Sequence, residues 1–121
     1  LKKNAYEEGM KIIDELVGEG KDDYLSKLDS IYEGLGDTIV EHLFGNLYSR
    51  EGLDLRTRQL ITIALLISDG NNEQLLFHTQ CALNIGVTKQ EIIEMMLQSA
   101  TVIGLPKALS ALKTVNVLFN L

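Results

Sequence analysis

Apolar residues recur at intervals of three and four along most of this chain, glycines separate the runs, and alternation at period two is nearly absent. That pattern predicts an all-α protein of six or seven helices joined by short turns. The first helix is expected from about Lys3 to Val17, with Tyr6, Met10, Ile13 and Val17 as its apolar stripe and Gly18-Glu19-Gly20 as its stop. A second runs from about Asp23 to Glu33, presents Tyr24, Leu28, Ile31 and Leu35, and is closed by Gly34 and Gly36. Asp37 is placed to cap a third that carries Ile39, Val40, Leu43, Phe44 and Leu47 to a loop at Arg50-Glu51-Gly52.

Asp54 can cap the next helix, in which Leu60, Ile61, Ile63, Ala64, Leu65, Leu66 and Ile67 surround nearly the whole cylinder. Such a helix is expected at the centre of the fold or of an oligomer. Gly70 ends it, Asn71 or Asn72 starts another that passes through Glu73, His78 and Cys81, and Gly86 stops that one. In Val87-Thr88-Lys89-Gln90-Glu91-Ile92, Thr88 and Glu91 form a capping box while Val87 and Ile92 occupy the two positions of a hydrophobic staple, so a helix begins there. It carries Ile92, Ile93, Met96, Ala100 and Ile103 inward as far as Gly104-Leu105-Pro106. The proline suits the first turn of a last helix that ends near Asn120.

The 121 residues suit one domain, 1–121, with an N-terminal helical segment over 1–36. Apolar residues make up 45% of a chain that can bury only about two thirds of its unfolded surface, so part of the excess is expected against another subunit of a homo-oligomer. The net charge of -6 repels nucleic-acid backbones and anionic lipids alike. It is unevenly spread: residues 1–55 carry 6 basic and 13 acidic groups, residues 56–121 carry 5 and 4. The acidic front reads as a solvated face. The longest strongly apolar run, Leu60 to Ile67, is far shorter than the roughly 20 residues a membrane-spanning helix needs. Leu1-Lys2-Lys3-Asn4 leads into Glu7 and Glu8 without an apolar segment, unlike a signal peptide, and the missing initiator Met suggests a trimmed start. A single cysteine, Cys81, excludes an intramolecular disulfide and a tetrathiolate metal site and fits a reducing, cytoplasmic setting.

His78 is the leading candidate for chemistry, because imidazole alone titrates near neutral pH without large perturbation. Cys81, three residues on, shares its helix face, so the two can meet; a hydrogen-bonded structural His with an inert buried Cys is the alternative. A metal site would need more ligands than His78 and the distant pair Glu41 and His42 supply, and none is expected. Arg56 and Arg58 sit at a helix start, where cations oppose the macrodipole unless they bind an anion or reach another segment. Met95 and Met96 read as core filling. Glycine-rich phosphate loops, Gly-x-Ser-x-Gly elbows and His-Glu-x-x-His pairs are absent.

Gly52-Leu53-Asp54-Leu55-Arg56-Thr57-Arg58-Gln59-Leu60-Ile61-Thr62-Ile63-Ala64 resembles the carboxymuconolactone decarboxylase family, relatives of the AhpD-type alkylhydroperoxidases. So do Glu73-Gln74-Leu75, His78, Ala82-Leu83-Asn84-Ile85-Gly86-Val87-Thr88, Glu91-Ile92-Ile93-Glu94 and Gly104-Leu105-Pro106-Lys107-Ala108, in that order and spacing. The similar region spans about 44–112. The resemblance implies an AhpD-like helical subunit assembled as a trimer or hexamer, with pockets near subunit contacts and no cofactor.

In the peroxidase branch a Cys-x-x-Cys pair precedes the histidine that His78 matches, but the corresponding positions here are Asn71 and Gln74. Its relay acid corresponds to Gln59 or a near neighbour, and Cys81, standing after the histidine, matches neither thiol. Dithiol peroxidase chemistry is therefore not expected. In the decarboxylase branch the resemblance implies His78 as proton donor and Arg56, Arg58 and Glu73 as substrate-binding residues, acting on a small carboxylated lactone or related organic acid. Two positions depart from that pattern, with Val102 where a Tyr is frequent and Gln98 where a His is. Besides a lyase, two readings stay open: a single-thiol, peroxiredoxin-like alkylhydroperoxidase using Cys81, and a non-catalytic oligomer that binds a small molecule.

Overall fold

In the computed structural model, residues 4–119 are described; the expected helix start at Lys3, the end near Asn120 and the reading of Leu1 to Lys3 lie outside them. The order is α1 (Ala5–Leu16), a 3₁₀ turn (Gly18–Gly20), α2 (Lys21–Ile31), α3 (Leu35–Ile39) with a π-helical continuation (Val40–Leu47), α4 (Leu55–Asp69), α5 (Asn72–Asn84), α6 (Lys89–Ile103) and α7 (Leu105–Phe119). Among the described residues the protein is all-α, with seven α-helices and no strand. None of these helices is long and apolar enough to cross a membrane. The chain divides into two compact units, residues 1–55 and 56–121.

In the first unit, α1 lies along the π-helical stretch. Small residues make that approach possible: a Cβ on Gly9 would collide with the Val40 carbonyl, and one on Gly45 with the Ala5 carbonyl. The buried line of α1 is consequently Ala5, Gly9, Ile13 and Leu16, with Tyr6 exposed and Met10 and Val17 only half-buried, one step round from the expected stripe. Across from it Val40, Phe44 and Gly45 are buried, and the Phe44 and Tyr48 rings meet edge to face at 5.3 Å. The Tyr48 amide donates to the Leu43 carbonyl at 2.9 Å, five residues back, which is the wider winding of a π-helix.

α2 ends at Ile31 with an extended Tyr32 as its C-cap, so neither Gly34 nor Gly36 is the expected stop: Gly34, at a φ of 85°, is the N-cap of α3. Gly36 lies within α3, where its amide donates to Asp29 Oδ1 at 2.8 Å and a Cβ would crowd that oxygen and the Leu25 carbonyl. Asp37 is likewise inside α3 rather than its cap, because the left-handed turn at Gly34 has already launched the helix. Of the expected α2 stripe, Tyr24, Leu28 and Leu35 are half-buried and Ile31 is exposed.

The second unit packs Ile63 and Ile67 of α4, Leu75 and Ala82 of α5, Val87, Ile92 and Met96 around and along α6, and Ala111 and Val115 of α7 into one core. The start of α6 follows the expected scheme: Glu91 N–H donates to Thr88 Oγ1 at 3.1 Å, Thr88 N–H to Glu91 Oε1 at 2.9 Å, and Val87 and Ile92 are both buried. Asn71 caps α5 by accepting from the Gln74 amide at 3.1 Å, which settles the choice between Asn71 and Asn72. Lys107 donates to the Ser68 carbonyl at 3.0 Å, tying the start of α7 to the end of α4. The apolar girdle of α4 is covered on one side only. Gln59, Ile63 and Ile67 are buried at spacings of four, whereas Ile61 is exposed and Leu65 is 66% exposed, so this helix is not enclosed on all sides as its apolar girdle suggests.

Candidate active site around His78

The buried edge of α4 reads Gln59, Ile63, Ile67, an apolar stripe with a carboxamide at its first position. That carboxamide faces mid-α5, where His78 Nδ1 lies 3.0 Å from Gln59 Oε1. An amide oxygen can only accept, so a hydrogen bond across this contact requires the hydrogen on Nδ1, which leaves the lone pair of a neutral ring on Nε2. Gln59 is wholly buried, with its Nε2 lacking a partner among the described residues, and His78 is half-buried with the Phe77 ring edge-on at 5.1 Å. Burial pushes the imidazole pKa below its ordinary 6.5. The ring is therefore neutral at physiological pH.

Cys81 is 3% exposed, and burial pushes its thiol from 9.0 up to about 12. The expected meeting of thiol and imidazole does not set the state of either: Nδ1 is bonded to Gln59, and the thiol is governed by desolvation. A thiolate is strongly disfavoured there. The Thr79 hydroxyl, also fully buried, has no partner among the described residues.

Arg56, whose position at a helix start called for an anion, forms an ion pair with Glu91 Oε2, while Oε1 of the same carboxylate serves the Thr88 cap. Arg58 is half-buried on the first turn of α4, one residue before Gln59. Glu73 is exposed on the first turn of α5; five residues from His78 on a helix, it points about 140° away from that ring. The geometry thus joins His78 to Gln59 and Arg56 to Glu91. Two surface hollows lie elsewhere in this unit: ≈ 220 Å³ lined by Lys89, Ile93, Leu112, Lys113, Asn116 and Phe119, and ≈ 70 Å³ between α4, α5 and α7. No three His, Cys, Asp or Glu side chains converge to hold a metal among the described residues. From sequence alone Gln59 stands out only as the counterpart of the peroxidase relay acid. Its signal was a polar residue in register with Ile63 and Ile67.

Residues 33–116, more than two thirds of the chain, match the carboxymuconolactone decarboxylase family. The chain belongs to that family. Over 116 residues it is 31% identical to a 4-carboxymuconolactone decarboxylase of Acinetobacter baylyi, covering 95% of this chain and 87% of that protein. It is also 31% identical over 121 residues to a nitrosuccinic acid decarboxylase of Metarhizium robertsii, covering 96% and 85%. A third relative, an uncharacterized 15.0 kDa protein of Paracoccus denitrificans, is 39% identical over 77 residues, covering 62% of this chain and 58% of that protein.

Proposed function

We propose that this protein is a carboxy-lyase acting on a small organic acid whose departing carboxylate sits on a carbon conjugated with an electron acceptor. The names of two relatives support that substrate class. Nitrosuccinic acid necessarily carries a carboxyl on the carbon that bears its nitro group, so loss of carbon dioxide leaves a nitronate. In a carboxylated lactone the electron pair can pass instead into the lactone system as an enolate. Both reactions break one carbon–carbon bond, release carbon dioxide and need one proton at carbon.

The observation that carries the reading is the half-buried His78 ring, held at Nδ1 by Gln59 and free to exchange a proton at Nε2. A bound carboxylate favours the imidazolium, so the ring takes one proton from solvent as the substrate binds; once carbon dioxide has left, Nε2 delivers that proton to carbon and the ring is neutral again. Arg56 and Arg58, within one turn of Gln59, supply positive charge that attracts the acid, with that of Arg56 shared with Glu91. The acidic Glu73 would repel it and has no part in this scheme. The subunit works as a homo-oligomer, for which the exposed Ile61, Leu65, Leu97, Val102, Leu105 and Leu109 provide apolar surface.

The test is carbon dioxide release from 4-carboxymuconolactone and from nitrosuccinate by the purified protein. His78→Ala should lower kcat by about 10²- to 10⁴-fold, the usual weight of a general acid, with helicity and particle mass unchanged. Full turnover in that variant would remove His78 from the mechanism. Failure of the unaltered protein with both acids would exclude them as its substrates.

A further inference from the structure

We infer that Gln59 is a positioning residue for His78: its enclosed carboxamide oxygen fixes the imidazole as the Nδ1–H tautomer and so presents Nε2 to the substrate. Three observations lead there. The contact is Nδ1 to Oε1 at 3.0 Å, and an amide oxygen has no hydrogen to give. Gln59 is completely buried in a line otherwise made of Ile63 and Ile67, where an apolar side chain would pack without polar cost. Its Nε2 has no partner among the described residues, and enclosing unpaired donors destabilises a fold. Packing therefore gives no reason for glutamine at this position, whereas the bond to His78 does.

The choice of an uncharged acceptor matters as well. A carboxylate at position 59 would also accept the Nδ1 hydrogen, but it would favour the imidazolium; the carboxamide orients the ring without adding charge, and burial alone then sets its protonation. Gln59 touches the imidazole rather than the reacting atoms, so it acts through His78. The inference rests on the decarboxylase reading only where it names Nε2 as the atom that meets substrate, since the tautomer can be observed in the free protein.

Nitrogen-15 spectra of histidine-labelled protein at pH 8 test it directly, comparing the unaltered chain with Gln59→Met and Gln59→Glu. The unaltered protein should show a protonated Nδ1 and an unprotonated Nε2 at His78. Gln59→Met should move the ring toward the Nε2–H form that free histidine favours in water, with an equal or higher Tm, while Gln59→Glu keeps Nδ1 protonated. On an active substrate, Gln59→Met should lose about tenfold or more in kcat with KM little changed, as expected for a wrong tautomer. A protonated Nε2 in the unaltered protein, or an unchanged tautomer in Gln59→Met, would overturn the inference. The expected spectra without turnover of any acid would uphold Gln59 as the ring's orienter and sink the lyase reading alone.

Discussion

Two side chains of α5 make opposite demands on pH, and both arise from burial. His78 has a folded-state pKa below 6.5, so above that pH neither the folded nor the unfolded chain holds the extra proton. As pH falls through 6.5 the unfolded chain takes up a proton that the folded one refuses, and stability declines until the folded pKa is passed. Cys81 acts at the other end: its thiol is raised from 9.0 to about 12, so between those values only the unfolded chain ionises and stability declines as pH rises. Denaturant titrations at pH 5.5, 7.5 and 10.5 should show both losses. The acid loss should shrink in His78→Gln, and the alkaline loss in Cys81→Ala. The same raised thiol pKa disfavours the single-thiol peroxidase reading, because the reacting species would be the thiolate.

Among elements, the contact between α1 and the π-helical stretch is the most exacting, since backbone meets backbone there. Gly45→Ala pushes a methyl group into the Ala5 carbonyl and should cost about 3 kcal/mol, the upper end of ordinary overpacking, because a carbonyl cannot swing aside. Gly52→Ala, where nothing lies within 4 Å, is the control and should change stability little; urea unfolding of both variants measures the difference. This contact also marks where the sequence ceased to be legible. The start of α6 could be read outright because a capping box and a staple act over six neighbouring residues. The stripe of α1 could not, since its position depends on how closely a distant segment approaches, and the girdle of α4 overstated its burial because an apolar pattern does not say what covers it. His78 stood out by its chemistry. Gln59 has no titration to draw attention, and only its register in a buried row betrayed it.

At the scale of the whole molecule, the apolar side chains left open on α4, α6 and α7 lead to an expectation about mass. Light scattering should report a multiple of 13.5 kDa, and Leu65→Lys should lower it while leaving the helical spectrum intact. A particle of single-chain mass for the unaltered protein would remove the oligomer from the account. The π-helical stretch has a further reach, since it lies inside the 33–116 region shared with the family. One additional residue is accommodated in that winding without lengthening the path of the chain, so a relative that winds the same segment as an ordinary α-helix should be one residue shorter there. A gap belongs between 40 and 47 when such sequences are superposed; without it, every side chain of that segment after the insertion would be compared with a counterpart about 100° away around the helix axis.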